Sequence, residues 1–206
     1  RVRYLWPQKL KVDDKKEVNL LPRFRDDLLA YAAALSKDLV PLLCDLIGEA
    51  LCLPKNWLRE RCHPCTNRYS YLTLRHYRRQ REAAPGDDFC EGERFGMRMH
   101  TDTEFITVLH VDSSGLEILD RHDHSCWHEI PPRTGSEQDQ IPHGSFIVIF
   151  GDAFEILTNE KIRATYHRVR LPSAHAPKPR TSLVMFIALD GGYVEPPEAF
   201  GARNRS

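Results

Sequence analysis

The stretch RMHTDTEFITVLHVDSSG, residues 98–115, holds the pattern His-x-Asp twice, as His100 with Asp102 and as His110 with Asp112. On a strand, residues two apart point to the same side. Either pair could therefore offer an imidazole and a carboxylate to one divalent metal. The residues after each pair separate them. His100 and Asp102 lead into EFITVL, an apolar segment with the alternation of a strand. His110 and Asp112 run straight into Ser113-Ser114-Gly115, and an Asp suits the first position of a turn. The first pair reads as metal-binding and the second as the end of a strand. RHDHS, residues 121–125, falls between GLEIL and WHEI, where a hairpin tip is expected, and reads as solvated histidines.

A third ligand must come from elsewhere. The segment ATYHRV supplies His167, with Thr165 and Val169 on the same strand face, and the apolar Val169 turns that face inward. Two imidazoles and one carboxylate on one side of a metal leave its other positions open, the facial arrangement of non-haem iron(II) oxygenases. Arg180 and Ser182 form a further i, i+2 pair at the head of RTSLVMFIAL, one of the most apolar segments and so a central strand. An Arg facing a core needs an anion, because an unpaired buried charge is costly. A carboxylate suits it, taking a bidentate fork from Arg and one more bond from Ser. No acidic residue of the chain is an obvious partner, and a small dicarboxylate ligand is. Iron(II), Asp102, a 2-oxo-dicarboxylate and Arg180 sum to neutrality, which a dry pocket tolerates best.

Outward from these motifs the chain divides at about residue 68. Beyond it YSYLTLRHY, EFITVLHV, GLEIL, SFIVIF, ATYHRVRL and RTSLVMFIAL alternate with period two. Turn signals stand between them at Pro85-Gly86, Ser113–Gly115, Pro131-Pro132, Gly151-Asp152 and Pro177–Pro179. Many short strands predict a β-sandwich or jelly roll. Before it, Phe24, Leu28, Tyr31, Leu35, Leu39, Leu42, Leu46 and Ala50 form an apolar helical stripe. Pro22 lies in its first turn, and Pro41 is expected to kink or split it. A shorter helix is expected over KNWLRERC after Pro54. Residues 8–19 and 133–143 read as surface loops. The expected organisation is a helical region over 1–68, packed on a mainly β domain over 69–206.

Lys plus Arg equals Asp plus Glu, so the net charge of zero argues against broad attraction to nucleic acid or an anionic membrane. No apolar run approaches the ~20 residues of a membrane span. No signal-peptide pattern opens the chain, which begins RVRYLWPQ without Met and is expected to be truncated at its start. The six cysteines, including the Cys62–Cys65 CxxC, read as reduced thiols, and the expected location is cytoplasmic.

In order along the chain, HTDTEFITVL, GLEIL with WHEIPP, GSFIVIFGDAFEILTN, ATYHRV and RTSLVMF resemble the isopenicillin N synthase-like family of iron(II)- and 2-oxoglutarate-dependent dioxygenases. The segment FRDDLLAYAAALSKDLVPLLCDLIGEALCLP resembles the family's long helix. The resemblance implies a double-stranded β-helix, with iron held by His100, Asp102 and His167 as the catalytic centre. It implies that Arg180 and Ser182 hold the distal carboxylate of 2-oxoglutarate, with Tyr77 as a further contact. Arg75 departs from the Asn common two places before that tyrosine, LTNE replaces LTNG, and Ile149 stands where the family often has Asn. The implied activity is oxidation of a C–H bond by hydroxylation, desaturation or ring closure, with release of succinate and carbon dioxide. The implied partners are dioxygen and a small organic substrate, with ascorbate as an optional reductant, acting on a monomer. Two rival readings are an iron oxidase of the same fold that does not use 2-oxoglutarate, and a catalytically silent binding module.

Overall fold

The computed structural model describes residues 20–80, 94–132 and 145–191. The expected loops at 8–19 and 133–143 and the turn at Pro85-Gly86 lie outside them. Helix α1 spans Leu20–Ala34 and α2 spans Val40–Ala50, joined by a π-helical turn over Leu35–Leu39. Pro41 lacks an N–H and its ring crowds the carbonyl four residues back. The wider turn accommodates it: the Val40 N–H reaches the carbonyl of Leu35, five residues away. The inserted residue also shifts the apolar face by one place. Leu42 and Leu46, inward on an unbroken stripe, are 52% and 54% exposed, while Val40 and Cys44 are buried and Leu43 and Ile47 pack beside them.

The helix expected after Pro54 does not form as such. Turns lead into a single 3₁₀ turn at Arg59–Arg61, and Asn56 has a φ of 63°, which interrupts a helix before it can propagate.

Eight strands come next among the described residues: β1 (Tyr71–Tyr77), β2 (Phe95–His100), β3 (Ile106–Val111), β4 (Leu116–Leu119), β5 (Trp127–Ile130), β6 (Ile147–Phe150), β7 (His167–Arg170) and β8 (Arg180–Ile187). They form two four-stranded antiparallel sheets, ordered β1-β8-β3-β6 and β2-β7-β4-β5. The expectation of a mainly β chain beside a helical N-terminal part is met, and β8 is central, between β1 and β3.

Alternation along the first sheet divides the core in two. Ile106, Val108, Met185 and Ile187 face the helices, packing with Leu35, Val40, Cys44 and Leu58. Their neighbours Leu109, Val111, Val184 and Phe186 face the second sheet, against Leu116 and Val169. A short helix, α3 (Asp152–Leu157), comes after β6 and buries Phe154 against Phe105 and Phe150.

The one-place shift at the π turn is testable by urea unfolding. Val40→Ala should cost about 2 kcal/mol, from two lost methyl carbons and the space they leave. Leu46→Ala should stay within about 0.5 kcal/mol of the parent. Equal costs at the two positions would contradict the shifted face.

Candidate metal centre and anion pocket

His100 ends β2 and His167 begins β7, directly opposite each other in the β2–β7 register. Simple alternation does not put His100 there. β2 carries register irregularities on both sides of Met97, so Met97 pairs with Val169 while His100 pairs with His167, three residues matched by two. The extra residue re-aims His100 onto the face of His167, as bulges do beside functional sites. The rings stand 4.2 Å apart between centroids.

Asp102 does not lie on the strand, contrary to the i, i+2 expectation. It sits in the connection between β2 and β3, and backbone bonds hold that connection. The Asp152 N–H donates to the Asp102 carbonyl at 2.7 Å, the Ala153 N–H to Thr103 at 3.3 Å, and the Phe105 N–H to Ile187 at 2.9 Å. Gly151 makes this clamp possible. A Cβ there would fall 2.1 Å from the Glu104 carbonyl oxygen and 2.7 Å from that of Asp102.

The three side chains converge. Both histidine Nε2 atoms lie 3.7 Å from Asp102 Oδ1, and the three ligand atoms are all within 4.8 Å of one another. Each imidazole donates its Nδ1–H to a backbone carbonyl, His100 to Arg98 at 2.8 Å and His167 to Thr165 at 2.9 Å. That leaves Nε2 of both rings with a lone pair for a metal. Burial pushes the His167 pKa down, outweighing the Thr165 carbonyl and Asp102, and favours the neutral form that can ligate. The other Asp102 oxygen accepts from Thr107 Oγ1 at 2.5 Å, between two groups that are both buried. Thr107 was not among the expected site residues. The signal was present, in a hydroxyl that alternation places on the same face as the apolar Leu109 and Val111.

Arg180 and Ser182 are 1% and 2% exposed on the inward face of β8. Among the described residues, none of the three Arg180 guanidinium nitrogens, all buried, has a hydrogen-bond partner. The guanidinium lies 5.2 Å from the centroid of the buried Tyr77 ring, and Tyr77 pairs with Arg180 across β1 and β8. Burial lowers the pKa of Arg180, opposed by Tyr77 and Asp112. A donor set with no acceptor among the described residues fits an anionic ligand, and two imidazoles with one carboxylate fit a divalent transition metal. The residues present therefore suit both groups.

The rival motifs do other work. Asp112 accepts the Thr181 N–H at 2.8 Å and pins the start of β8, and the His110 ring stands edge-on to Phe146. His122 and His124 are exposed at the β4–β5 tip, where Asp120 takes the backbone N–H of His122 and of Asp123. Cys62 is buried and Cys65 exposed, and both are free thiols. Among the described residues His100, Asp102 and His167 form the one group of three or more such side chains able to share a metal.

Two facing antiparallel sheets with a two-His, one-carboxylate centre and an enclosed guanidinium define a recognisable class. The chain belongs to the 2OG-Fe(II) oxygenase superfamily, whose family model matches residues 65–189. It is 33% identical over 162 residues to 1-aminocyclopropane-1-carboxylate oxidase homolog 1 of Arabidopsis thaliana, covering 78% of this chain and 37% of that protein. It is 29% identical over 176 residues to gibberellin 2-beta-dioxygenase 2 of Oryza sativa subsp. japonica, covering 81% of this chain and 44% of the relative. The chain thus spans less than half the length of these curated relatives. Among solved structures, the 2-oxoglutarate binary complex of the Arabidopsis thaliana dioxygenase for auxin oxidation 1 superposes with a TM-score of 0.63 at 23% identity, covering 86% of this chain and 57% of that one. JOX2 in complex with 2OG, Fe and JA superposes with a TM-score of 0.65 at 23% identity, covering 88% and 47%. These two likenesses establish the fold. The resemblance of the sequence motifs to the isopenicillin N synthase-like family is consistent with all of them.

Removing the buried bond to Asp102 by Thr107→Val should weaken binding of manganese(II), used as a redox-stable probe, by about 10–100-fold. Titration calorimetry checks this, with circular dichroism to show an unchanged fold. An unchanged affinity would mean that Thr107 plays no part in orienting the carboxylate.

Proposed function

We propose that the chain is the core of an iron(II)- and 2-oxoglutarate-dependent oxygenase that oxidises a C–H bond of a small organic substrate. In this reading the two sheets are the double-stranded β-helix, residues 69–206 form the oxygenase domain, and residues 1–68 form its helical flank. The observation that carries the reading is the pairing of a convergent His100–Asp102–His167 centre with a buried Arg180 that has no acceptor among the described residues.

Iron(II) held at that centre would supply activation of dioxygen and oxidative decarboxylation of the 2-oxo acid to succinate and carbon dioxide. His100 and His167 offer Nε2 because their Nδ1–H groups are committed to backbone carbonyls. Asp102 offers one oxygen while Thr107 holds the other. Arg180 gives its fork, Ser182 its hydroxyl and Tyr77 its phenol to the distal carboxylate, and the surrounding apolar side chains keep water from competing for it. The hydroxylation, desaturation or ring-closure outcome is set by the primary substrate.

Three measurements test this. Anaerobic protein with iron(II) and 2-oxoglutarate should give a weak visible charge-transfer band, and Asp102→Ala should abolish it. A band that persists in that variant would refute the metal assignment. With dioxygen, succinate should appear. Substrate oxidation without succinate would instead favour the iron-only oxidase. Arg180→Met should weaken 2-oxoglutarate binding at least 100-fold. The same change should leave the ligand-free fold as stable or up to about 4 kcal/mol more so, because a buried charge without a partner is removed. A strong loss of stability in ligand-free Arg180→Met would show that the guanidinium serves the fold and not a ligand.

A further inference from the structure

The ring of Tyr77 stands in space that Gly96 leaves free. Tyr77 ends β1 and Gly96 lies in β2, and these are the edge strands of the two different sheets. A Cβ on Gly96 would fall 2.6 Å from the Tyr77 Cε1, nearer still to its Cδ1, and 3.0 Å from the Leu171 Cδ2. Carbon atoms cannot be packed that closely without a shift. Gly96 has no left-handed φ, so its backbone would accept other residues and space alone calls for glycine. The ring has little freedom to yield, because it is buried between the sheets and Met97 and Leu171 pack in the same cluster. The strands are also tied together at this edge. Just past β1 the Gln80 N–H donates to the Pro172 carbonyl at 2.9 Å, and the Gln80 Nε2 donates to that of Leu171 at 3.1 Å. The Leu171 N–H in turn donates to the carbonyl of Arg94, just before β2, at 2.8 Å.

The same ring borders the anion pocket. Its centroid is 5.2 Å from the Arg180 guanidinium, and the two residues face each other in the β1–β8 register. A side chain on Gly96 would therefore push the ring onto Arg180 or carry the phenol away from it. We propose that Gly96 is a positioning residue for the cosubstrate. By leaving room for the Tyr77 ring it holds the phenol where it meets the distal carboxylate beside Arg180 and Ser182. The proposal rests on the oxygenase reading, and it brings a residue of the opposite sheet to a pocket whose three binding groups come from one. Hydrogen bonds weaken steeply with distance and angle, so moving the ring by about 1 Å is enough to lose this contact.

The test is 2-oxoglutarate binding with manganese(II) at saturation in place of iron, so that no turnover occurs. Gly96→Ala should weaken 2-oxoglutarate binding at least ten-fold, while its Kd for manganese(II) alone stays within two-fold of the parent. Tyr77→Ala, which removes the ring, should also weaken 2-oxoglutarate binding at least ten-fold. Adding Gly96→Ala to Tyr77→Ala should then cost less than a further two-fold, because nothing is left to displace. General damage to the fold would instead lower both affinities and would persist in the double variant. Circular dichroism accompanies each protein. If Gly96→Ala alone does not fold, the double variant should fold and bind 2-oxoglutarate as Tyr77→Ala does. The parent's 2-oxoglutarate affinity in either single variant overturns the proposal. So does a further ten-fold loss in the double variant, or a ten-fold loss of manganese(II) affinity in Gly96→Ala. A parent that binds manganese(II) but no 2-oxoglutarate defeats the oxygenase reading itself, and this proposal with it.

Discussion

The guanidinium of Arg180 is the constraint around which the chain is arranged. It is 1% exposed, its three nitrogens are enclosed without an acceptor among the described residues, and it sits on a central strand of its sheet. A charge in that setting costs several kcal/mol unless something anionic meets it. The surroundings place it closely all the same. Asp112 pins Thr181 beside it, Tyr77 lies against it, and Gly115 passes so near that a Cβ would come within 3.4 Å of the Arg180 Cδ. Gly115 also has a φ of 118°, open to glycine and strained for other residues. A fold selected for stability alone would put an apolar side chain at this position.

Most of this arrangement was legible in the sequence because it depends on period and on chemistry. The alternation of RTSLVMFIAL placed β8 at the centre of a sheet, and no carboxylate of the chain offered itself as a partner for Arg180. The features that the sequence did not reveal depend on single-residue insertions. The bulge that turns His100 toward His167 leaves the composition of FGMRMH untouched, so the i, i+2 spacing put Asp102 on a strand that it does not occupy. The π turn before Pro41 is the same kind of event in a helix, and it moved Leu42 and Leu46 to the surface. Pro41 announced that something would happen there, but not that one residue would be added to the turn. The segment after Pro54 failed for a local reason, the left-handed Asn56, which outweighed apolar spacing over a stretch too short to sustain a helix.

The resulting site is assembled from both layers. His100 and His167 come from the β2-β7-β4-β5 sheet, and the supports of Asp102 come from the other: Thr107 on β3, and Gly151 and Asp152 after β6. Arg180, Ser182 and Tyr77 of the anion pocket all come from the β1-β8-β3-β6 sheet, through β8 and β1. The metal ligands thus depend on how the two layers sit against each other, whereas these three groups are brought together by the register within one.

The clamp at Gly151 carries this further. With the Asp152 N–H bonded to the Asp102 carbonyl and no room for a methyl group between them, the acidic ligand is carried on the β1-β8-β3-β6 sheet as if on a bracket. An ion gripped by all three side chains is then a rivet through both plates. Slippage between the plates, from whatever cause, would loosen the rivet before either plate came apart, so retained metal content would serve as an early gauge of the whole assembly's integrity.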